Sequence, residues 1–99
     1  MDKKEKYLTY DMDELLEASE SIVEEYKSWM EKIFDDPMTY ADKIFMVQRR
    51  IKTIKDYIEI FRIEQMIYSM NPTSDFVPNV ELLDESKKCI DEIRELIKD

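Results

Sequence analysis

Glycine and histidine are both missing from this 99-residue sequence, and each absence excludes a group of functions. Glycine lets a backbone adopt positive φ or approach a phosphate closely, so Walker-type phosphate loops and GxGxxG dinucleotide turns are excluded. Histidine is the commonest general base and metal ligand, so Ser-His-Asp catalysis, Cys-His catalysis and histidine-based zinc sites are excluded. We therefore expect no enzyme, and neither a cofactor nor a bound metal.

Cysteine and long apolar runs are nearly absent as well. Cys89 is the single cysteine, so it cannot form an intrachain disulfide, and we expect a small buried side chain there. No apolar run approaches the roughly 18 residues of a membrane span, and no apolar segment of a signal peptide follows the charged residues 1–6. These features predict a cytoplasmic protein in a reducing compartment, with no membrane partner.

The charge balance argues against nucleic acid as a partner. The chain has 15 basic and 24 acidic residues and a net charge of −9, which repels a phosphate backbone. Residues 39–70 carry six basic and four acidic side chains, whereas the segments on either side are strongly acidic. This distribution favours pairing between segments of the same chain, and it leaves direct binding of nucleic acid without support.

Three segments show the hydrophobic period of an amphipathic helix. They are residues 11–35, 39–70 and 80–98. Asp11 and Asn79 have the residue types of helix caps, and Pro37 sits where the first turn of a new helix tolerates proline. The sequence thus predicts one all-α domain over residues 1–99, a three-helix up-down-up bundle with a long central helix, with residues 1–8 frayed and with dimerisation as an open alternative.

The apolar face of the first helix includes the only tryptophan. Trp29 lies beside Tyr26 and Ile33 on this face, so we expect the tryptophan side chain to be buried.

An acidic row occupies the opposite face of the first helix. It consists of Asp13, Glu17, Glu20, Glu24 and Glu31. One interpretation is an ordinary solvated face. The other is a docking surface for a basic protein, such as a nucleic-acid-binding protein or a toxin, whose association the negative charge would speed.

The C-terminal half of the central helix is apolar on two sides. Besides its main stripe it carries Ile60, Ile63, Met66 and Met70 on roughly the opposite side. A helix that is apolar on two sides needs cover on both. One interpretation is that the third helix and the Phe76-Val77 segment cover this second side. The other is that these four residues form a surface for self-association or for a partner.

Two carboxylate pairs and one basic cluster complete the candidates for chemistry. Glu14 with Glu17, and Glu81 with Asp84, have a spacing that resembles the ExxE and ExxD pairs of all-α, magnesium-dependent nucleotide pyrophosphohydrolases. Such a site needs carboxylates that project inward, and these pairs lie outside the apolar stripes. The basic cluster consists of Arg49, Arg50, Lys52 and Lys55. One interpretation is a contact with a phosphate or with an acidic partner. The other is pairing with the acidic helices of the same chain.

The sequence therefore favours a non-catalytic interaction module that acts as a regulator, adaptor or inhibitor through its acidic row. Its small, acidic, methionine-rich and glycine-free composition is what we expect of a phage-encoded or accessory regulator. A self-associating assembly protein is the alternative, and a carboxylate-metal nucleotide hydrolase is the least favoured hypothesis.

Overall fold

A computed structural model describes residues 2–72 and 75–98, and every regular element in these ranges is helical. The elements are α1 (Lys3–Leu8), α2 (Met12–Lys32), a 3₁₀ helix (Pro37–Tyr40), α3 (Ala41–Met70) and α4 (Glu81–Leu96). The all-α class predicted from the sequence is confirmed. The number of helices is not, because the described residues contain four α-helices where three were expected.

Helices α2 and α4 begin within two residues of the predicted caps. The Asp11 side chain accepts a hydrogen bond of 3.1 Å from the Glu14 amide, and the Asn79 side chain accepts one of 3.0 Å from the Glu81 amide. These bonds satisfy amide groups that the first turn of a helix leaves without a partner. Pro37 opens the 3₁₀ helix, as its fixed φ allows. Helix α2 ends at Lys32, three residues earlier than predicted, and Asp36, the residue before the proline, has non-helical backbone geometry as expected.

The short helix α1 occupies a segment that the sequence indicated to be frayed. Lys6 forms an ion pair of 2.9 Å with Asp84 of α4. The Tyr7 ring lies edge-on to Tyr68 and tilted against Phe61 of α3, with ring centroids 5.2 Å and 5.9 Å apart. These contacts place α1 across the end of the molecule where α3 finishes and α4 begins. Six residues are too few for a periodic pattern, so the sequence carried no signal for this helix.

The core is built from rows of side chains at heptad spacing. The buried apolar residues of α2 and α3 recur every seven positions, and those of α4 are seven and three positions apart. They are Leu15, Ile22 and Trp29 of α2, Val47, Ile54 and Phe61 of α3, and Leu83, Ile90 and Ile93 of α4. Trp29 is buried, as predicted; its neighbour Ile33 is buried as well, whereas Tyr26 is only half-buried.

Helix α4 packs closely against both α2 and α3. Arg94 of α4 forms an ion pair of 3.3 Å with Glu25 of α2, and Glu92 of α4 forms one of 2.7 Å with Arg50 of α3. Ser86, at the centre of the buried face of α4, is fully buried, and its hydroxyl donates to the Leu82 carbonyl. A small side chain at this position lets the neighbouring backbones approach. The connection between α2 and α3 is therefore made largely through α4.

The molecule is long and thin, with principal extents of 56 × 19 × 17 Å. Thirty residues of helix measure about 45 Å, so α3 sets the length. No residue in the described ranges has a positive φ, as expected of a chain without glycine. None of the helices described is long and apolar enough to cross a membrane.

Trp29 provides a test of the packing between α2 and the 3₁₀ helix. It is buried, stacked on Tyr26 and edge-on to Tyr40 of the 3₁₀ helix. We expect blue-shifted native fluorescence that moves red on unfolding. Urea titration followed by circular dichroism should show Trp29→Ala to cost about 3–5 kcal/mol. The control Phe34→Ala, at a side chain 79% exposed, should stay within about 0.5 kcal/mol. Water-like native emission would contradict the packing described.

Candidate functional site

An open apolar depression separates α2 from α3 on the side that faces away from α4. Its volume is about 420 Å³. Its lining residues come from α2 and α3 alone, namely Ser19, Glu20, Ile22, Val23, Glu24, Ile51, Ile54, Lys55 and Ile58. Val23 and Glu25 point to different sides of α2, since Glu25 pairs with α4 while Val23 lines the depression. The depression is the open side of the α2–α3 contact.

Two further depressions extend this one along α3. The second, of about 410 Å³, shares Lys55 and Ile58 with the first, and it reaches Met66. The third, of about 630 Å³, shares Arg62 and Met66 with the second, and it includes Tyr7, Met12, Gln65 and Ser69. We refer to the three together as the α2–α3 trough. From Ile51 to Ser69 it follows eighteen residues of α3, or about 27 Å.

Charged side chains of opposite sign face each other in the first depression, where Glu20 and Glu24 of α2 lie opposite Lys55 of α3. The second depression is lined by α3 alone, and its charged residues are Lys55, Glu59 and Arg62, so the α3 side is net basic. Lys55 and Arg62 are seven residues apart, so they lie on the same side of α3. Among the residues that the structure describes, Glu20, Lys55 and Arg62 form no ion pair. These charges therefore face solvent, at the edges of an apolar surface.

The acidic row predicted on α2 is exposed along its whole length. All five side chains, Asp13, Glu17, Glu20, Glu24 and Glu31, face solvent. Lys27 lies within the row and forms an exposed ion pair of 3.3 Å with Glu24, a contact that stabilises little. Glu20 and Glu24 belong both to the row and to the trough, so the structure joins an acidic surface to an apolar one. The sequence pattern did not reveal this connection.

The second apolar side of α3 is uncovered. Ile60, Ile63, Met66 and Met70 are all exposed, Met70 to 84%. Ile67, which the sequence reading missed, is exposed beside them and completes an Ile60, Ile63, Ile67, Met70 series at alternating spacings of three and four. We refer to these five residues as the outer α3 face. The cover expected from α4 and from Phe76-Val77 does not reach it.

The basic cluster is divided among different contacts. Arg50 pairs with Glu92 of α4, and Lys52 pairs with Asp56 within α3. The Arg49 guanidinium lies 5.8 Å from the centroid of the Phe45 ring. Lys55 lines the trough. Pairing with the acidic helices, one of the two interpretations of this cluster, therefore holds for Arg50 alone.

In the part of the chain that the structure describes, the carboxylate pairs and the cysteine do not come together in one place. Glu14, Glu17, Glu81 and Asp84 are exposed, and the Asp84 carboxylate is engaged by Lys6. Within residues 2–72 and 75–98 no group of three or more carboxylate or thiol side chains has the geometry to hold a metal ion. Cys89 is half-buried on α4. Burial raises the pKa of its thiol above the ordinary value of 9.0, and the nearby Glu92 carboxylate adds to the effect.

The chain matches no known protein family, no curated protein and no solved structure. The inference of function therefore rests on the trough, the acidic row and the outer α3 face.

The raised pKa of Cys89 predicts an unreactive thiol. The thiolate is the attacking species, so iodoacetamide at about pH 8 should alkylate Cys89 of the folded chain more slowly than it alkylates a short cysteine peptide. In urea, where the chain is unfolded, the two rates should be equal. The folded state disfavours the thiolate, so the stability contributed by Cys89 is complete below about pH 9 and is lost as the pH rises through the folded pKa. Mass spectrometry gives the alkylation rates. A folded-state rate at or above that of the peptide would show an activated cysteine instead.

Proposed function

We propose that this chain is a non-catalytic protein-interaction module whose α2 surface binds a basic region of another protein. Through this contact it acts as a regulator, adaptor or inhibitor of that protein. The partner is recognised by its positive charge and by an apolar surface of its own, and the interaction requires neither a cofactor nor a metal.

The observation that supports the proposal is the union of charge and apolar surface on α2. A solvated helix face usually separates its charged and apolar stripes, with the apolar stripe covered. Here the acidic row borders an apolar trough that stays open to solvent. Acidic side chains at the edge of a binding surface speed the encounter with a basic partner, and apolar contacts at its centre supply most of the affinity.

Affinity purification with matched variants tests this proposal. The wild-type chain and two variants serve as baits in cells that express the chain natively. The test variant neutralises three acidic side chains of α2, and the control neutralises three exposed acidic side chains of α4. The substitutions are Glu17→Gln, Glu20→Gln and Glu24→Gln in the first, and Glu85→Gln, Asp91→Asn and Glu95→Gln in the second.

We expect a basic protein that the wild type and the α4 control retain and that the α2 variant loses. Its association rate should fall as the salt concentration rises, because salt screens exposed charges beyond about 8–10 Å. A captured protein that the α2 variant retains equally well would contradict the proposal.

Self-association is a second candidate function, and the outer α3 face is the observation that favours it. Its residues Ile60, Ile63, Ile67 and Met70 follow the spacing of a helix–helix seam. Burying one such side chain stabilises by about 1.5–3 kcal/mol, and two-fold pairing is the commonest closed arrangement. The seam covers only about 15 Å of α3, so the contact is small for a permanent dimer.

Sedimentation equilibrium at micromolar concentrations distinguishes the two states of the chain. A dimer has twice the 12.1 kDa mass of one chain, and Ile63→Glu should halve it by placing an unpaired charge in the seam. Phe34→Glu, which adds the same charge at another exposed apolar position, should leave the mass unchanged. A wild-type chain that sediments as a monomer removes this candidate.

A further inference from the structure

Three properties of the α2–α3 trough together describe the ligand that it fits. The trough is largely apolar and follows about 27 Å of α3. It is acidic on the α2 side of its first depression, through Glu20 and Glu24, and net basic on the α3 side, through Lys55, Glu59 and Arg62. A compact small molecule would use one of the three depressions and leave the others empty. A ligand that fills all three has to be a rod about five helical turns long, with apolar side chains along one side.

We infer that the trough binds a single amphipathic α-helix of the partner protein, with basic residues on the flank beside α2 and acidic residues on the flank beside α3. This inference rests on the proposed function, since it identifies the part of the partner that the same surface receives. Apolar side chains at positions i, i+3, i+4 and i+7 of the bound helix contact Val23, Ile51 and Ile58 in the trough.

Charge complementarity assigns the two flanks. Basic side chains on one flank meet Glu20 and Glu24, and acidic side chains on the other meet Lys55 and Arg62. Because Glu20, Lys55 and Arg62 form no ion pair among the described residues, the bound helix does not compete with an existing partner for any of them.

Helix direction follows from the same two walls. Reversing a helix in the trough exchanges its two flanks, and the exchange places like charges together. The wall charges therefore select one of the two directions for a helix with a given flank pattern.

The charge pattern also separates this inference from a simple acidic docking surface. A purely acidic surface favours a helix that is basic on both flanks. A trough that is acidic on the α2 side and net basic on the α3 side disfavours such a helix, because its second flank meets two basic side chains, Lys55 and Arg62, and one acidic side chain, Glu59. The composition of the flanks is therefore the property to measure.

A displayed library of helical peptides gives this measurement. Each member has about five turns, a fixed Leu and Ile stripe, and Lys, Glu or Gln at random on each flank. Selection uses the wild-type chain, and the enriched peptides are then titrated against four variants. Ser19→Trp fills the trough, and Ser21→Trp places the same side chain on the other side of α2. Glu20→Lys reverses a wall charge, and Glu31→Lys makes the same reversal in the acidic row outside the trough.

We expect the enriched peptides to be basic on one flank and acidic on the other. Ser19→Trp should weaken their binding by at least about tenfold, whereas Ser21→Trp should change it by less than about twofold. Glu20→Lys should weaken binding several-fold more than Glu31→Lys does. Circular dichroism of each variant verifies that it is folded before its affinity is compared.

Other outcomes overturn the inference in distinguishable ways. Peptides that are basic on both flanks, weakened by Glu31→Lys but not by Ser19→Trp, would place the partner on the acidic row, and the proposed function would survive without the trough. Peptides insensitive to all four variants, or no enrichment, would remove the trough as a helix-binding site. A wild-type dimer that Ser19→Trp converts to a monomer would make a second copy of this chain its occupant.

Discussion

The packing of α4 against both α2 and α3 is the contact on which the rest of the structure depends. Leu83, Ile90 and Ile93 supply the apolar side of this contact. Helix α4 also forms ion pairs with Glu25 of α2 and with Arg50 of α3. A third ion pair joins it to Lys6 of α1. With α4 on one side, and only Tyr7 of α1 at one end of the other, α2 and α3 remain open to solvent along the trough. The candidate binding surface is thus a direct result of where the third long helix packs.

The heptad rows explain why a chain of this size forms such a long molecule. Seven-residue spacing keeps Leu15, Ile22 and Trp29 on one line of α2, so the core is a narrow seam. A narrow seam leaves one flank of each helix without cover. On α2 that flank combines Val23 with Glu20 and Glu24, and on α3 it combines Ile58 with Lys55 and Arg62.

Periodicity and cap residues predicted the helical class, the positions of the three long helices and the burial of Trp29. These features are local, because a cap or a stripe is readable within one helix. Helix α1, and with it the count of four α-helices in the described residues, was not predictable because Tyr7 and Lys6 are held by Tyr68 and Asp84, contacts that span most of the chain.

The candidate site was predictable in its parts but not in its assembly. The spacing of acidic residues located the row on α2, and the excess apolar residues located the outer α3 face. The trough was not visible, because Val23 and Ile58 lie on different helices and their distance depends on how α4 holds those helices apart. Ile67 was missed because it is one position from Met66 and reads as part of the same apolar run.

The absence of glycine also bears on the unfolded state of the chain. Each glycine enlarges the set of backbone conformations that an unfolded chain visits, so replacing glycine with alanine in an unstrained position stabilises a protein by about 0.4–1 kcal/mol. In this chain every described residue has a negative φ, and no position needs the freedom that glycine provides. The unfolded ensemble is correspondingly narrow, and less conformational entropy is lost on folding. A thin core can therefore hold the helices in place while one side of the α2–α3 pair stays open.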